Sequence, residues 1–594
     1  ERDGEGTVIR FCRNGLDEPT IPGRSIRGAV RAACDLLWEE RKLKDDPSGV
    51  FSKTKWISLW GDDSLDIGKS VRERGLRSDD SLPIRQSALT FHAVSFPQYK
   101  DSDSGESPLP RRHGVGIDRT TGATSDGALY EHEFLPRGTR FDIRITAEGR
   151  DDESMENKQS EGIPGPASSE AIELLLRLIR SLFKSKAISL GGRTGSGQGA
   201  IKVQESNKKR QGSNEERQDS DDQYLRIVGK SLTEGPEWSK GADSSACVCT
   251  QPARIKITWW SPTGIFVAED EELTKQRKAA KEAENEEKGI NEEVHEVVYP
   301  LRDPSVEWEN AQLLIPGTSI RGALRSRASR IARTVLAARD DFKPLTSHDI
   351  HEQIAAEPNL VRYMFGSTEY RGAVTVHDCL STKRGKLIEV THNAIDRWTG
   401  GVIDGGLFTE AVYLGTKWQP ITIDIDLRQL LNNIEAEKGE AKSKPKGAGA
   451  NETEQDGQKD SQQLEHVYAP YARAAYVLLG LVLAELSAGT LPLGSRSTRG
   501  LGQVVVSSID VRGCTWDHVE IPAKTLSGGD ALKHPGTAAS RPTQDRYDAQ
   551  RKLAGEVLEY LREKIKGAKN WSERLENGPG AARKQSEGTR AADD

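Results

Sequence analysis

The feature that most constrains this 594-residue chain is that its motifs are written twice. Ile21-Pro22-Gly23-Arg24-Ser25-Ile26-Arg27-Gly28-Ala29-Val30-Arg31 returns as Ile315-Pro316-Gly317-Thr318-Ser319-Ile320-Arg321-Gly322-Ala323-Leu324-Arg325. Leu59-Trp60-Gly61 returns as Met364-Phe365-Gly366, and Ala88-Leu89-Thr90-Phe91-His92 as Ala373-Val374-Thr375-Val376-His377. Ile117-Asp118-Arg119-Thr120 matches Ile395-Asp396-Arg397-Trp398, each with an Asp-Gly pair following (Asp126 and Asp404). A glycine-rich close, Leu190-Gly191-Gly192-Arg193-Thr194-Gly195-Ser196-Gly197-Gln198-Gly199, matches Leu493-Gly494-Ser495-Arg496-Ser497-Thr498-Arg499-Gly500-Leu501-Gly502. These patterns, repeated in one order with a period of hundreds of residues, mark a fused domain pair rather than a solenoid.

The length accommodates two or three domains, each large enough for its own core. Hydrophobic residues make up only 35%, and the deficit sits in polar stretches that read as solvated insertions: 151–169, 205–222, 269–293, 435–463 and the tail beyond Trp571. The expected layout is a first domain over 1–203, a linker over 204–251, a second domain over 252–512 with insertions at 269–293 and 435–463, and a C-terminal extension over 513–594. Six cysteines (12, 34, 247, 249, 379, 514) form no paired spacing, which suits free thiols in a reducing compartment, and the cytoplasm is the expected location. No apolar run reads as a membrane span, so no membrane partner is expected. A net charge of -7 argues against indiscriminate coating of duplex DNA, yet the repeated motifs are rich in arginine.

Within each repeat, Pro and Gly punctuate a turn, and Ser25 and Ser319 stand where a helix cap would. In the helix that follows, Ile26, Val30, Ala33 and Leu37 share one face, while Arg27 and Arg31 lie roughly 100 to 140° around it. Arg321 and Arg325 repeat that placement. The expectation is an amphipathic helix that presents guanidinium groups and free N-terminal amides to an anion. A second helix (171–183; 471–486), the glycine-rich loop and a strand end each repeat. Helix, glycines, strand is the reverse of a nucleotide-cofactor fingerprint. Glycine lets backbone approach backbone or a ribose-phosphate chain, and the interleaved Arg193, Arg496 and Arg499 favour the second. The opening strand-like run Ala253–Trp260 completes an order β, α, β, β, α, β, which fits the split βαβ, ferredoxin-like unit. The first repeat has no equivalent opening strand, so the N-terminus is expected to be incomplete.

Together these motifs resemble the RAMP superfamily of CRISPR-associated proteins, and more narrowly the backbone subunits of type III effector complexes, here with two RAMP domains fused. The resemblance covers about residues 5–203 and 252–512. It implies an α+β fold of two tandem ferredoxin-like, RRM-related domains with disordered insertions. It further implies that helix N-termini and glycine-rich loops hold the guide RNA, with complementary target RNA and other effector subunits as partners, in antiviral defense. The residues that would carry RNA are Ser25, Arg27, Arg31, Arg119, Gly192, Arg193, Gly197 and Gly199 in the first repeat. In the second they are Ser319, Arg321, Arg325, Arg397, Gly494, Arg496, Arg499, Gly500 and Gly502.

Such subunits also cut bound target RNA through an aspartate in the loop before the Ile-Pro-Gly helix. Here that loop offers Asp270 and Asp303 in the second repeat, and Asp3 and Asp17 in the first. Asp303, twelve residues before Ile315, and Asp17, just before Ile21, are the leading candidates, each also readable as an ordinary turn residue. No tightly bound cofactor is expected; cleavage would need a divalent cation such as magnesium. An alternative is a stand-alone, metal-independent endoribonuclease that matures guide RNA, for which His113 and His392 are the acid-base candidates. Asp118 and Asp396 read as partners that orient Arg119 and Arg397. Cys247 and Cys249 lack zinc-site spacing.

Overall fold

The computed structural model describes residues 8–40, 56, 59–61, 87–102, 107–121, 123–148, 169–184, 188–203, 252–269, 271–290, 294, 296–304, 310–339, 347–443, 461–516, 519–534 and 543–577. Asp3, Asp270, Cys247, Cys249 and the 204–251 linker lie outside these residues. The chain is mixed α+β with two separate hydrophobic cores, one per repeat. In the second repeat Ala253–Trp260 is the central strand, buried at alternate positions. It runs antiparallel to Ile421–Ile425 on one side and to Val505–Arg512 on the other, and Val374–Val376 pairs with the outer edge of Ile421–Ile425. Taken in chain order, the four strands therefore lie second, third, first, fourth. The helices Gly317–Ala337 and Ser461–Ser487 alternate with them, and Ile320, Leu324 and Leu478 are buried in the shared core. The first repeat keeps part of this plan: the helix Gly23–Glu40 buries Ile26, Val30 and Cys34, and Leu89–Phe91 pairs with Ile145–Ala147.

Each repeat also projects a long hairpin, Arg111–Ile117 with Thr124–Glu133, and Lys386–Ile395 with Val402–Leu414. A two-residue parallel strand flanks each one: Val8–Ile9 beside Glu131–His132, and Val297–Val298 beside Thr409–Glu410. These pairings put the two copies in register, Val8 with Val297.

Three expectations change. The polar stretch at 269–293 contains a helix, Glu271–Glu287. Buried Glu269 pairs with Arg277, and the spaced pairs Lys278–Glu282 and Lys288–Glu284 support a mostly polar helix that has little apolar face to bury. The segment beyond 512 is not a separate appendage, because Leu526, Leu553, Val557 and Leu561 belong to the second core. Val467–Ser487 is long and apolar enough to cross a membrane by length and composition. In this fold 72% of it is buried instead, packed against the sheet and the helix Thr543–Lys564.

Candidate nucleic-acid interface

The loop that closes each repeat is built the same way. Arg193 (φ 57°) and Arg496 (φ 62°) adopt the left-handed conformation, a short 3-10 turn follows, and Gly197 or Gly500 ends it at positive φ. Gly199 and Gly502 have positive φ, and an added Cβ would strike the carbonyl oxygens of Leu190 (1.9 Å) and Leu493 (2.4 Å). These glycines bring the loop onto its own chain, with Leu190 N–H donating to Gly199 O (2.9 Å) and Leu493 N–H to Gly502 O (3.0 Å).

The arginines of the loop rest on the hairpin. The Arg193 guanidinium lies 4.5 Å from the Tyr130 ring centroid and donates to the Tyr130 hydroxyl (3.0 Å). Arg499 lies over Phe408, the counterpart of Tyr130, at 5.3 Å. The next hairpin position differs: Glu410 in the second copy, His132 in the first. Glu410 accepts from Arg496 (2.6 Å) and also faces Arg499 (3.8 Å) and His392 (3.4 Å). The His132 ring is pushed down to about 4 by burial, then by Arg193 and Arg112, so it stays neutral at pH 7. A neutral ring beside Arg193 leaves that guanidinium without an ion pair among the described residues. The second loop shares one carboxylate between two arginines.

Arg193 opens onto a cleft of about 670 Å³ between the repeats. Its walls include Arg10, Arg112, Arg137, Ser25, Gly192, Gly197 and Gly199 from the first repeat, with Asp303, His377 and Asp378 from the second. Arg112 forms a bidentate pair with Asp378 (2.9 and 3.3 Å) and lies over Phe134 (4.5 Å). Half-exposed Arg137 spans Asp378 (3.6 Å) and Asp303 (3.8 Å).

The RAMP superfamily profile matches residues 2–202 and 312–505, well over half of the chain. The chain belongs to the RAMP superfamily. Among solved structures, a chain of a type III-B Cmr-beta complex bound to cognate target RNA matches at 11% identity and TM-score 0.23, covering 49% of this chain and 72% of that one. A chain of a CRISPR RNA-guided surveillance complex matches at 11% identity and TM-score 0.22, covering 53% and 85%. No curated protein sequence matches at a significant level.

Within the two RAMP repeats three of the four repeated helix arginines, Arg27, Arg321 and Arg325, are turned inward. Arg27 donates to the Trp60 carbonyl, and Arg321 donates to the Phe365 carbonyl (2.5 Å) and to Val374 O (3.3 Å). Burial, then the neighbouring Arg325, pushes Arg321 down to about 10. Arg325 forks onto Glu357 (2.8 and 2.5 Å), a carboxylate with no exposed surface, and Arg31 pairs with Asp35 (3.3 Å). The repeated arginine is thus matched to the repeated Trp-Gly or Phe-Gly motif, whose last helical carbonyl it satisfies. Nor is Ser319 a cap: the helix starts at Gly317, whose N–H donates to Asp378 Oδ1 (2.8 Å), and Ser25 likewise lies inside the first helix. The Gly317 end is further covered by the first repeat, since an added Cβ would meet Ser196 O at 2.7 Å.

The hairpin tips differ from expectation as well. Asp118 and Asp396 do not orient the adjacent arginines; they accept from backbone N–H two residues on, at Thr120 (2.7 Å) and Trp398 (2.8 Å), and close the turn. Hydrogen bonds from Thr120, then His348 and Gln353, hold Asp118 well below the usual carboxylate range. The first tip is docked on the second repeat, where Gln353 donates to Asp118 (2.8 Å) and accepts from Arg119 N–H (2.7 Å), and Arg119 approaches Glu357 (3.5 Å). The second tip is open: Arg397 is exposed and Trp398 is 95% exposed. His113 pairs with Glu131 (2.5 Å) across its hairpin.

Asp303 and Asp17 are not counterparts. Arg13 bridges Pro19 as Arg302 bridges Leu313, so the copy-one residue in register with Asp303 is Asn14. Asn14 Oδ1 accepts from Leu16 and Glu18 N–H, and Asp17 is an exposed residue of that turn at φ 60°. Sequence comparison missed this because the loops differ in length. Among the described residues no group of three or more His, Cys, Asp or Glu could hold a metal ion. The side chains around Asp303, with Arg137 beside it, do not by themselves fit a divalent cation.

Proposed function

We propose that this RAMP protein is an RNA-binding subunit of a CRISPR type III-like effector complex, holding guide RNA along its two glycine-rich loops. The observation that supports the reading most is Arg193, braced on Tyr130 and left without a counter-charge beside neutral His132, at the mouth of a cleft lined by three further arginines. Such a group binds phosphate without reading sequence. The sheet order of the second repeat, second, third, first, fourth, is that of a split βαβ unit, which supports a ferredoxin-like, RRM-related domain. Complementary target RNA and other effector subunits are the proposed partners.

The test is binding of a guide-length RNA across a salt series. Removing Arg193, Arg496 and Arg499 together should lower affinity and reduce the slope of log K against log[salt] by about 0.7 for each phosphate no longer neutralised. Unchanged affinity and slope in the folded triple variant refute the reading. Target cleavage is proposed to rest on Asp303 and not on Asp17. With guide, complementary RNA and magnesium, Asp303→Ala should abolish a cut that Asp17→Ala leaves intact; cutting that survives Asp303→Ala removes the residue from the chemistry. His113 and His392, the candidates for stand-alone processing of precursor guide RNA, each face a carboxylate across their own hairpin.

A further inference from the structure

The two glycine-rich loops align residue for residue, Arg193 with Arg496 and Ser196 with Arg499, yet their side chains do not occupy equivalent places. In the first loop the arginine that opens the turn, Arg193, lies over the hairpin ring Tyr130 at 4.5 Å. Ser196, which ends that turn, folds back, and its hydroxyl donates to Arg193 O (2.8 Å). In the second loop it is Arg499, at the end of the turn, that lies over the equivalent ring Phe408 (5.3 Å). Arg496, at the opening, is drawn down to the next hairpin position, where Nε and Nη2 both lie 2.6 Å from Glu410 Oε1. Glu410 is only 2% exposed, so losing this fork would strand a buried charge. Arg499 is held differently. Its approach to Glu410 is to Oε2, at 3.8 Å, an oxygen that also faces His392 (3.4 Å), and among the described residues the Arg499 guanidinium makes no hydrogen bond. With 44% of its side chain exposed and one face against Phe408, it presents a planar set of N–H donors to solvent.

We infer that Arg499, and not Arg496, is the phosphate-binding arginine of the second loop, and that Glu410 is a positioning residue that ties Arg496 down and leaves Arg499 over Phe408; this rests on the loops binding RNA. The charges fit the exchange. Compared with the first loop, the second has one more arginine, Arg499 in place of Ser196, and one more buried acid, Glu410 in place of His132. Each loop therefore offers one guanidinium that no carboxylate holds by a hydrogen bond, and in both copies it is the one over the aromatic ring. A phosphate accepts from such a group in the same two-pronged way as a carboxylate, and in Arg496 that fork is already engaged.

The test is a set of variants of the full chain, titrated with a single-stranded RNA of guide length across a salt series. Arg499→Ala should lower affinity about tenfold and reduce the slope of log K against log[salt] by about 0.7, and adding Glu410→Gln should not restore either. Arg499→Lys, which keeps the charge, should recover the slope. Arg496→Ala should lose less, because Arg499 then turns onto the vacated Glu410, and most of that loss should return when Glu410→Gln is added. A direct phosphate contact by Arg496 requires instead a loss that persists in the double variant, and that result would overturn the assignment. An unchanged slope in Arg499→Ala, with binding lost when Arg193, Arg496 and Arg499 are all removed, would overturn it too while sparing the RNA-binding reading; binding retained by that triple variant would overturn both. Arg499→Ala and Arg499→Lys change only an exposed side chain, so they decide the matter even where Arg496→Ala fails to fold.

Discussion

Arg325 offers the sharpest separation between a folding role and an RNA-binding role. Its guanidinium makes two hydrogen bonds to Glu357 and a third to Gly366 O (3.0 Å), and Glu357 has no exposed surface. Arg325→Met removes the bidentate partner of a buried carboxylate and leaves Glu357, among the described residues, with Arg119 at 3.5 Å and the more distant charges of Arg321 and Arg333. Breaking such a pair costs about 3–5 kcal/mol. For a domain of this size that corresponds to a fall in melting temperature of roughly 10 °C. Adding Glu357→Gln removes the stranded charge and should restore about half of the loss. The assay is urea unfolding of the wild type, both single variants and the double, with RNA binding measured on the folded fraction across a salt series. Loss of less than about 1 kcal/mol in Arg325→Met, together with a flatter salt dependence of RNA binding, would refute the argument and return Arg325 to the phosphate-binding face.

Three further outcomes are expected. Arg193→Ala should weaken RNA binding more than Arg496→Ala, because Arg496 already shares Glu410; equal losses measured by filter binding would contradict the unshared charge. Gly199→Ala and Gly502→Ala should lower the melting temperature, since each Cβ would meet a carbonyl at positive φ, while Gly192→Ala, with nothing within 4 Å, should leave it unchanged. His132 is neutral in the fold and its basicity is depressed, so the unfolded chain binds the extra proton. Stability should therefore fall by an amount on the order of 2 kcal/mol as the pH drops from about 6.5 to about 4, and urea titrations of His132→Gln should lack that decrement.

The duplication was legible in sequence, and with it the α+β class and the matching of helix, Asp-Arg motif and glycine-rich loop across the copies; that the Asp-Arg motif tips a long hairpin was not. The direction of the arginines was not. Arg27 and Arg321 sit off the apolar face by helical geometry, but the carbonyls they satisfy lie more than thirty residues further on, in the Trp-Gly and Phe-Gly motif. Helix periodicity has no access to that distance. The cap on Gly317 was equally hidden, because Asp378 comes from a later strand end and no local pattern signals it. Arg112, His132 and Arg137, which shape the cleft, were passed over. A basic residue recurring on one face of a hairpin strand was the available signal, masked by the alternating exposure of both faces. Asn14 was missed because counting back from Ile21 and Ile315 fails when one loop is longer; only the flanking strand register recovers it.

The braces between the repeats, Arg112 on Asp378 and Asp118 on Gln353, are made by side chains of the first hairpin. The peptide that covalently joins the halves does not supply them. Selection for a fixed spacing between the two arginine-bearing loops therefore acts on these side chains, together with Arg137 and Arg119, rather than on the length or composition of the joining stretch. A chain nicked within 204–251 should stay a single particle on a sizing column, and a chain with an intact backbone but lacking Asp118 and Asp378 should not hold its two halves in step.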